Sequence, residues 1–160
     1  MIHWSMRSDG TGEVTAPAGR SPGGARQALH GQGAAVAVVA VGGALGAAAR
    51  YGTALAWPTG RDAFPWTTLF VNTLGCALIG IFLVVLTETG SPHPLWRPFV
   101  GTGVLGGFTT FSTATVDVQR LVDHGAPARG LAYLAATVLA ALTAVWVAAG
   151  LTRRLVGRPA

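Results

Sequence analysis

The chain has 160 residues, of which 51% are hydrophobic and only 11% are charged, and its mean hydropathy is +0.49. Soluble domains carry about 25% charged residues, so this composition is typical of a membrane protein. All the basic residues are arginine, and most of them stand in tails and loops rather than in one patch, which argues against a nucleic-acid surface despite the net charge of +5.

Four apolar segments follow a polar N-terminal stretch. Residues 1–33 are rich in Gly, Ser, Pro, Ala and Arg, which predicts a disordered tail. Each apolar segment is close to the roughly 20 residues that cross a bilayer. These segments are 34–57, 66–87, 98–121 and 128–151. They predict an all-α membrane domain over 34–152 with four transmembrane helices, followed by a short basic tail, 153–160.

Four spans place both chain ends on one side of the membrane, and the arginines only weakly select that side. Seven arginines lie on the side of the termini and three on the other, which favours cytoplasmic termini. When the arginines of the N-terminal tail are left out, four arginines lie on the side of the termini and three on the other. Such a weak bias is typical of a protein that inserts in both orientations.

The third segment has an unusual centre for a membrane helix. Three glycines are followed at once by four hydroxyl residues: Gly103, Gly106 and Gly107, then Thr109, Thr110, Ser112 and Thr113. Glycine loosens a helix, hydroxyl side chains compete for backbone groups, and irregular backbone survives in hydrocarbon only where protein buries it or it lines a polar path. We therefore predict a broken helix. Close packing of small residues would explain the glycines but not the hydroxyls around Phe111.

Two polar residues interrupt the first two segments. Arg50 is the one charge well inside a span; such a charge is usually functional or paired, or it extends from a helix end to the interface. Asn72 lies near the start of the second span, where its amide needs partners. It either forms an interhelical hydrogen bond or contacts a ligand through its two N–H donors.

The motif GGFTTFST, residues 106–113, resembles the signature of the small fluoride channel family (CrcB, or Fluc). Two more blocks agree with that family in order and spacing: GGALGAAARY, residues 42–51, and TLFVNTLGCALIG, residues 68–80. Tyr133 followed by Thr137 is similar to its last helix. The resemblance covers residues 36–152. It implies passive, selective export of cytoplasmic fluoride across the cell membrane by an antiparallel dimer, with pores between the subunits.

The resemblance also implies roles for individual residues. The ion pathway would be lined by Asn72, Phe111, Ser112, Thr113 and Thr137, with Arg50 at a vestibule. Carbonyl oxygens of Gly106 and Thr109 would hold a structural Na⁺ at the dimer centre. The ring edge of Phe111 carries positive potential, so it contacts an anion without holding it as a formal charge does.

The chain departs from the family pattern at Ala114, where a second phenylalanine is usual. One ring edge is therefore missing from the path that this subunit lines. Two explanations follow from the departure. Either a homodimer tolerates the alanine, or the chain forms a heterodimer with a homologous subunit that carries the complete motif.

Two other classes of function fit parts of the sequence. A small proton-coupled multidrug-type exporter also has four short helices, but it needs a membrane carboxylate, and Glu88, Asp117 and Asp123 lie at or near span ends. A non-transporting membrane assembly protein would explain the glycines and alanines, but not Asn72 together with the hydroxyl cluster. The sequence offers no catalytic constellation or metal-ligand spacing, so we do not expect an enzyme.

Overall fold

The computed structural model describes residues 22–60, 63–90 and 93–156, and every regular element in these ranges is helical. The helices are α1, Pro22–Ala56; α2, Trp66–Thr89; α3, a π-helical segment Arg97–Leu105 that ends in one α-helical turn, Gly106–Phe108; α4, Phe111–Asp123; and α5, Pro127–Val156. The predicted all-α fold is confirmed for these ranges. Residues 1–21 of the predicted tail, and 157–160, lie outside them, whereas residues 22–33 belong to α1. The helix contacts and the site described next all lie in the unit that begins at Gly33.

Prolines and glycines set the ends of several helices, as their backbone preferences require. Pro65 directly precedes α2 and Pro127 opens α5, where the missing N–H leaves no hydrogen bond unmade. Gly90 follows α2 with φ 78°, and Gly125 follows α4 with φ 76°. Both angles lie in the left-handed region that only glycine adopts readily, so each helix ends in a sharp turn.

Three helices in the described ranges are long and apolar enough to cross a membrane: Gln32–Ala56, Trp66–Glu88 and Pro127–Val156. Most of their surface is not covered by the rest of the chain, and Leu139, Leu142 and Trp146 on α5 are each more than 60% exposed. Exposed apolar side chains are not destabilising in lipid, which is as apolar as they are. The chain is therefore a multi-pass membrane protein.

The break predicted in the third apolar segment is present. α3 ends at Phe108, Thr109 and Thr110 are extended, with ψ angles of 156° and 121°, and α4 begins at Phe111. The hydroxyl of Thr110 accepts a hydrogen bond from the N–H of Thr113 (3.1 Å) and so caps α4. A hydroxyl residue in the extended conformation thus ends one helical segment and starts the next.

Glycines allow α1 to pack directly on the backbone of α3. A Cβ atom at Gly42 would lie 2.6 Å from the carbonyl oxygen of Phe99, and one at Gly46 would lie 2.7 Å from the backbone nitrogen of Phe108. From the other side, a Cβ atom at Gly107 would lie 2.9 Å from the Cα of Gly43. No larger residue fits at these positions without separating the helices. Small-residue packing therefore accounts for Gly42 and Gly46 of α1 and for Gly107 of α3.

α2 and α5 form the second closely packed pair, with α4 against α5. A Cβ atom at Gly80 of α2 would lie 2.8 Å from the carbonyl oxygen of Val145 of α5. Farther along α5, Tyr133 is fully buried in a small core with Ala114 and Leu121 of α4. Its ring meets Phe64 edge to face, at 5.4 Å between centroids. These contacts place the start of α4 beside α5.

Candidate functional site

Two neighbouring helices supply side chains to the break. Asn72 of α2 is buried, and its Nδ2 donates to the carbonyl oxygen of Thr110 (2.8 Å) while its Oδ1 accepts from the N–H of Thr110 (2.8 Å). One amide thus satisfies both backbone groups of a residue that lies outside any helix. The interhelical hydrogen bond, one of the two alternatives for Asn72, is therefore present.

Arg50 of α1 reaches the same region. It is half-buried, and its Nε donates to the carbonyl oxygen of Gly107 in the last turn of α3 (3.3 Å). The final carbonyls of a helix have no intrahelical donor, so this contact satisfies one of them. Arg50 also lines a cavity of about 210 Å³ together with Thr67, Thr68 and Thr113. This space, which we call the Arg50 cavity, carries one guanidinium and several hydroxyls.

A second space lies on the α5 side of the break. It is an open groove of about 310 Å³, which we call the Phe111 groove, and none of the described residues that line it is charged. The predicted site residues in its wall are Asn72, Thr109, Phe111 and Thr137. Phe111 is 78% exposed, so core packing within the chain does not explain this ring.

The structure separates the predicted ion-pathway residues into groups. Asn72, Phe111 and Thr137 share the Phe111 groove, whereas Thr113 faces the Arg50 cavity. Ser112 is exposed and lines neither space, and its hydroxyl lies 3.3 Å from that of Thr110. Gly106, predicted as a metal ligand, is exposed in the last turn of α3. Thr110 lines both spaces and so stands between them.

Sequence reasoning did not single out a buried polar cluster beside this site. Asp117 is only 7% exposed; it accepts from the hydroxyl of Thr68 (2.7 Å) and pairs with Arg120 (3.0 Å). Asp117 is predicted at or near a span end, and in the fold its side chain is buried against α2. The signal in the sequence was the spacing of Asp117 and Arg120, which are three residues apart on one helix and can pair.

Two buried hydroxyls near this cluster have no well-formed hydrogen bond among the described residues. They belong to Tyr133 and Thr137, which are one helical turn apart on α5 and both line the Phe111 groove, and the Tyr133 hydroxyl lies near those of Thr137 and Thr68. A buried hydroxyl without a partner is destabilising, typically by about 1–3 kcal/mol. The two hydroxyls therefore form a polar pair in the wall of an otherwise largely apolar groove.

Ala114 also lines the Phe111 groove, although its methyl group is almost fully covered. It is 3% exposed and packs in the core with Leu121 and Tyr133. A phenylalanine at this position has two ways to fit: its ring either extends into the groove or displaces Tyr133. With alanine at this position, the groove wall carries no second ring from α4.

The described residues include no group of three or more His, Cys, Asp or Glu side chains that could hold a metal ion. Backbone carbonyls form a different kind of site, and they are the ligands that the sequence predicts for Na⁺. The extended backbone at Thr109 and Thr110 ends the regular ladder of hydrogen bonds close to Gly106. The Na⁺ site on Gly106 and Thr109 stays a prediction.

Known proteins match most of this chain. The family described as "CrcB-like protein, Camphor Resistance (CrcB)" matches residues 37–149. The "Fluoride-specific ion channel FluC 1" of Streptomyces coelicolor is 57% identical over 148 residues, which cover 89% of this chain and 96% of the relative. The "Fluoride-specific ion channel FluC 2" of Streptomyces avermitilis is 60% identical over 119 residues, 74% of this chain and 75% of the relative. The resemblance found in the motifs is confirmed, and the chain belongs to the CrcB family.

Proposed function

We propose that this chain is a subunit of a fluoride-selective channel that exports cytoplasmic fluoride passively across the cell membrane. The observation that carries the proposal is the identity of 57% over nearly the whole chain to a protein named as a fluoride-specific ion channel. The Phe111 groove supports it, because an exposed aromatic ring and hydroxyl donors lie together on an otherwise apolar bundle.

The chemistry of the groove suits a small, strongly hydrated anion. Fluoride gives up its water only where close donors replace it, and the groove is lined by the hydroxyl residues Tyr133 and Thr137 together with Asn72. The positive edge of the Phe111 ring adds a weak attraction. No described residue of the groove wall is charged, so the ion is not held there by a formal charge. Arg50, in the neighbouring cavity, attracts anions towards the break.

The channel requires two subunits, because the groove is open on one side of a single chain. We propose that α1, α2, the α3–α4 pair and α5 are four transmembrane crossings, and that two chains of opposite orientation enclose the pores. The partner is a second copy or a homologous subunit. Streptomyces avermitilis has relatives named FluC 2 and FluC 3, which is compatible with either arrangement.

A structural Na⁺ is part of the same proposal. The carbonyl oxygens of Gly106 and Thr109 would hold it, because a hard cation prefers oxygen ligands and the end of α3 leaves carbonyls without an intrahelical donor. Arg50 already occupies the carbonyl of Gly107. The ion would stabilise the break and would not be transported.

One observation favours a second candidate function, a proton-coupled exporter. Asp117 is a buried carboxylate inside the membrane domain, which is the feature that such a carrier needs. Its pairing with Arg120 and Thr68 argues against this role, because a carrier carboxylate must exchange its proton for substrate. The channel is therefore the better account of this site.

A flux assay in liposomes tests the proposal. Purified protein, alone and with a homologous subunit, is reconstituted and loaded with KF or KCl, and anion release is followed after a K⁺ ionophore is added. We expect fast fluoride release and no chloride release, with no imposed pH gradient. Equal chloride release would exclude a fluoride channel, and release that occurs only with a pH gradient would favour the exporter.

A further inference from the structure

The side chain of Asn72 is largely occupied before any ion arrives. Its two hydrogen bonds to Thr110 are both 2.8 Å long, and the side chain is 8% exposed. An amide group has two N–H donors, and the carbonyl oxygen of Thr110 uses one of them. One N–H of Asn72 therefore remains for any ligand in the groove.

The residue that Asn72 holds is the one that fixes the break. Thr110 is extended and is the N-cap residue of α4, so its N–H has no helical partner, whereas its carbonyl oxygen also accepts the first bond of α4. Its hydroxyl accepts from the N–H of Thr113 and so starts α4. Phe111 is the next residue, and it is the first residue of α4.

We infer that Asn72 is a positioning residue: its paired hydrogen bonds to Thr110 hold the break in register and thereby set the direction of Phe111 at the groove. Loss of these bonds leaves the N–H of Thr110 without a partner and removes one of the donors to its carbonyl oxygen, so the first turn of α4 is held less firmly against α2. The link from this contact to conduction rests on the proposed function. The contact itself does not depend on fluoride.

Amide hydrogen exchange tests the inference in the absence of fluoride. The exchange rate of the Thr110 N–H is measured by NMR on the full chain in detergent micelles, in chloride buffer. Thr110 lines both the Arg50 cavity and the Phe111 groove, so its N–H can exchange with solvent once its hydrogen bond to Asn72 is lost. Asn72→Ala is expected to speed this exchange roughly three- to tenfold, the change that loss of one hydrogen bond produces. Asn72→Leu, which keeps the volume of the side chain, is the second variant and has the same expected result.

Two further variants test whether faster exchange comes specifically from the loss of the acceptor for the Thr110 N–H. Asn72→Asp keeps an oxygen that accepts from the Thr110 N–H but loses the donor to the Thr110 carbonyl, so the exchange at Thr110 is expected to stay close to that of the wild type. Thr73→Ala, at the adjacent residue of α2, is the matched control and is also expected to leave it unchanged. Faster exchange throughout α2 and α5 would indicate general unfolding and would contradict a local role.

Flux measurements on the same variants separate positioning from ion contact. If Asn72→Ala and Asn72→Leu lose fluoride flux while the exchange at Thr110 equals that of the wild type, Asn72 acts on the ion directly and the inference is wrong. If the wild type fails to pass fluoride, the proposed function fails, whereas faster Thr110 exchange in both variants still supports the hydrogen-bond contact.

Discussion

The packing of α1 on α3 makes a sharp prediction for two adjacent glycines. A Cβ atom at Gly42 would lie 2.6 Å from the carbonyl oxygen of Phe99 and 3.0 Å from the backbone nitrogen of Val104, whereas one at Gly43 would meet nothing within 4 Å. Both neighbours of Gly42 are backbone atoms, so no side chain can rotate away. The two helices must therefore separate by about 0.8 Å to bring the shorter contact to 3.4 Å, an ordinary contact distance.

The magnitude follows from comparing the two alanine variants. Overpacking of this kind destabilises by roughly 1–3 kcal/mol, while replacement of a helical glycine by alanine stabilises by about 1 kcal/mol at either position. The gain in helix propensity is the same for Gly42→Ala and Gly43→Ala. The difference between their free energies of unfolding is therefore the cost of separating the two helices. For a chain of this size, a difference of 1–3 kcal/mol corresponds to roughly 2–12 °C in Tm.

Thermal unfolding in detergent, followed by size-exclusion chromatography after heating, measures that difference. Gly42→Ala is expected to have a lower Tm than Gly43→Ala, and fluoride flux is expected to fall with it, because the last turn of α3 and the bond from Arg50 to the Gly107 carbonyl move with the helix. Equal Tm values for the two variants, or a lower value for Gly43→Ala, would refute the packing account of these glycines.

Three further variants address the groove and the buried cluster. Phe111→Ile is expected to lower fluoride flux at unchanged Tm, because the ring is 78% exposed and supports no core of the subunit; unchanged flux would show that the ring has no role in conduction. Ala114→Phe is expected to raise a low homodimer flux by adding a ring at the groove, whereas a fall in both flux and Tm would mean that the ring displaces Tyr133. Asp117→Asn is expected to destabilise by roughly 1–3 kcal/mol, measured as a lower Tm, because the charged hydrogen bond to Arg120 is lost. Its remaining flux should need no pH gradient, and a new dependence on one would contradict the structural role of the carboxylate.

The break was predictable because its cause is local. Three glycines and four hydroxyl residues within eleven positions conflict with a regular helix whatever surrounds them, so residue chemistry alone indicated an interruption near Phe111. The glycines and hydroxyl residues have two explanations, close packing of helices and a broken helix with hydrogen-bonded backbone, and the structure contains both. Gly103 and Gly107 pack against α1, and the hydroxyls of Thr109 and Thr110 form hydrogen bonds at or next to the break.

The partners of the break were not predictable, because they come from distant parts of the chain. Asn72 is 38 residues from Thr110, and Arg50 is 57 residues from Gly107. Which backbone group each side chain meets depends on how α1 and α2 pack, and hydropathy patterns do not contain that information. The same limit applies to Asp117, whose pairing with Thr68 spans 49 residues and gives no local signal.

Thr110 connects the packing of the bundle to the proposed conduction. It lies between the Arg50 cavity and the Phe111 groove, and its N–H, carbonyl and hydroxyl all take part in hydrogen bonds, to Asn72 and within the first turn of α4. An anion that passes this point meets backbone groups that are already paired, so it is not held there strongly. Passage requires binding that is favourable enough to admit the ion and weak enough to release it. In the proposed channel, the hydrogen bonds that stabilise the break therefore also keep it from trapping fluoride.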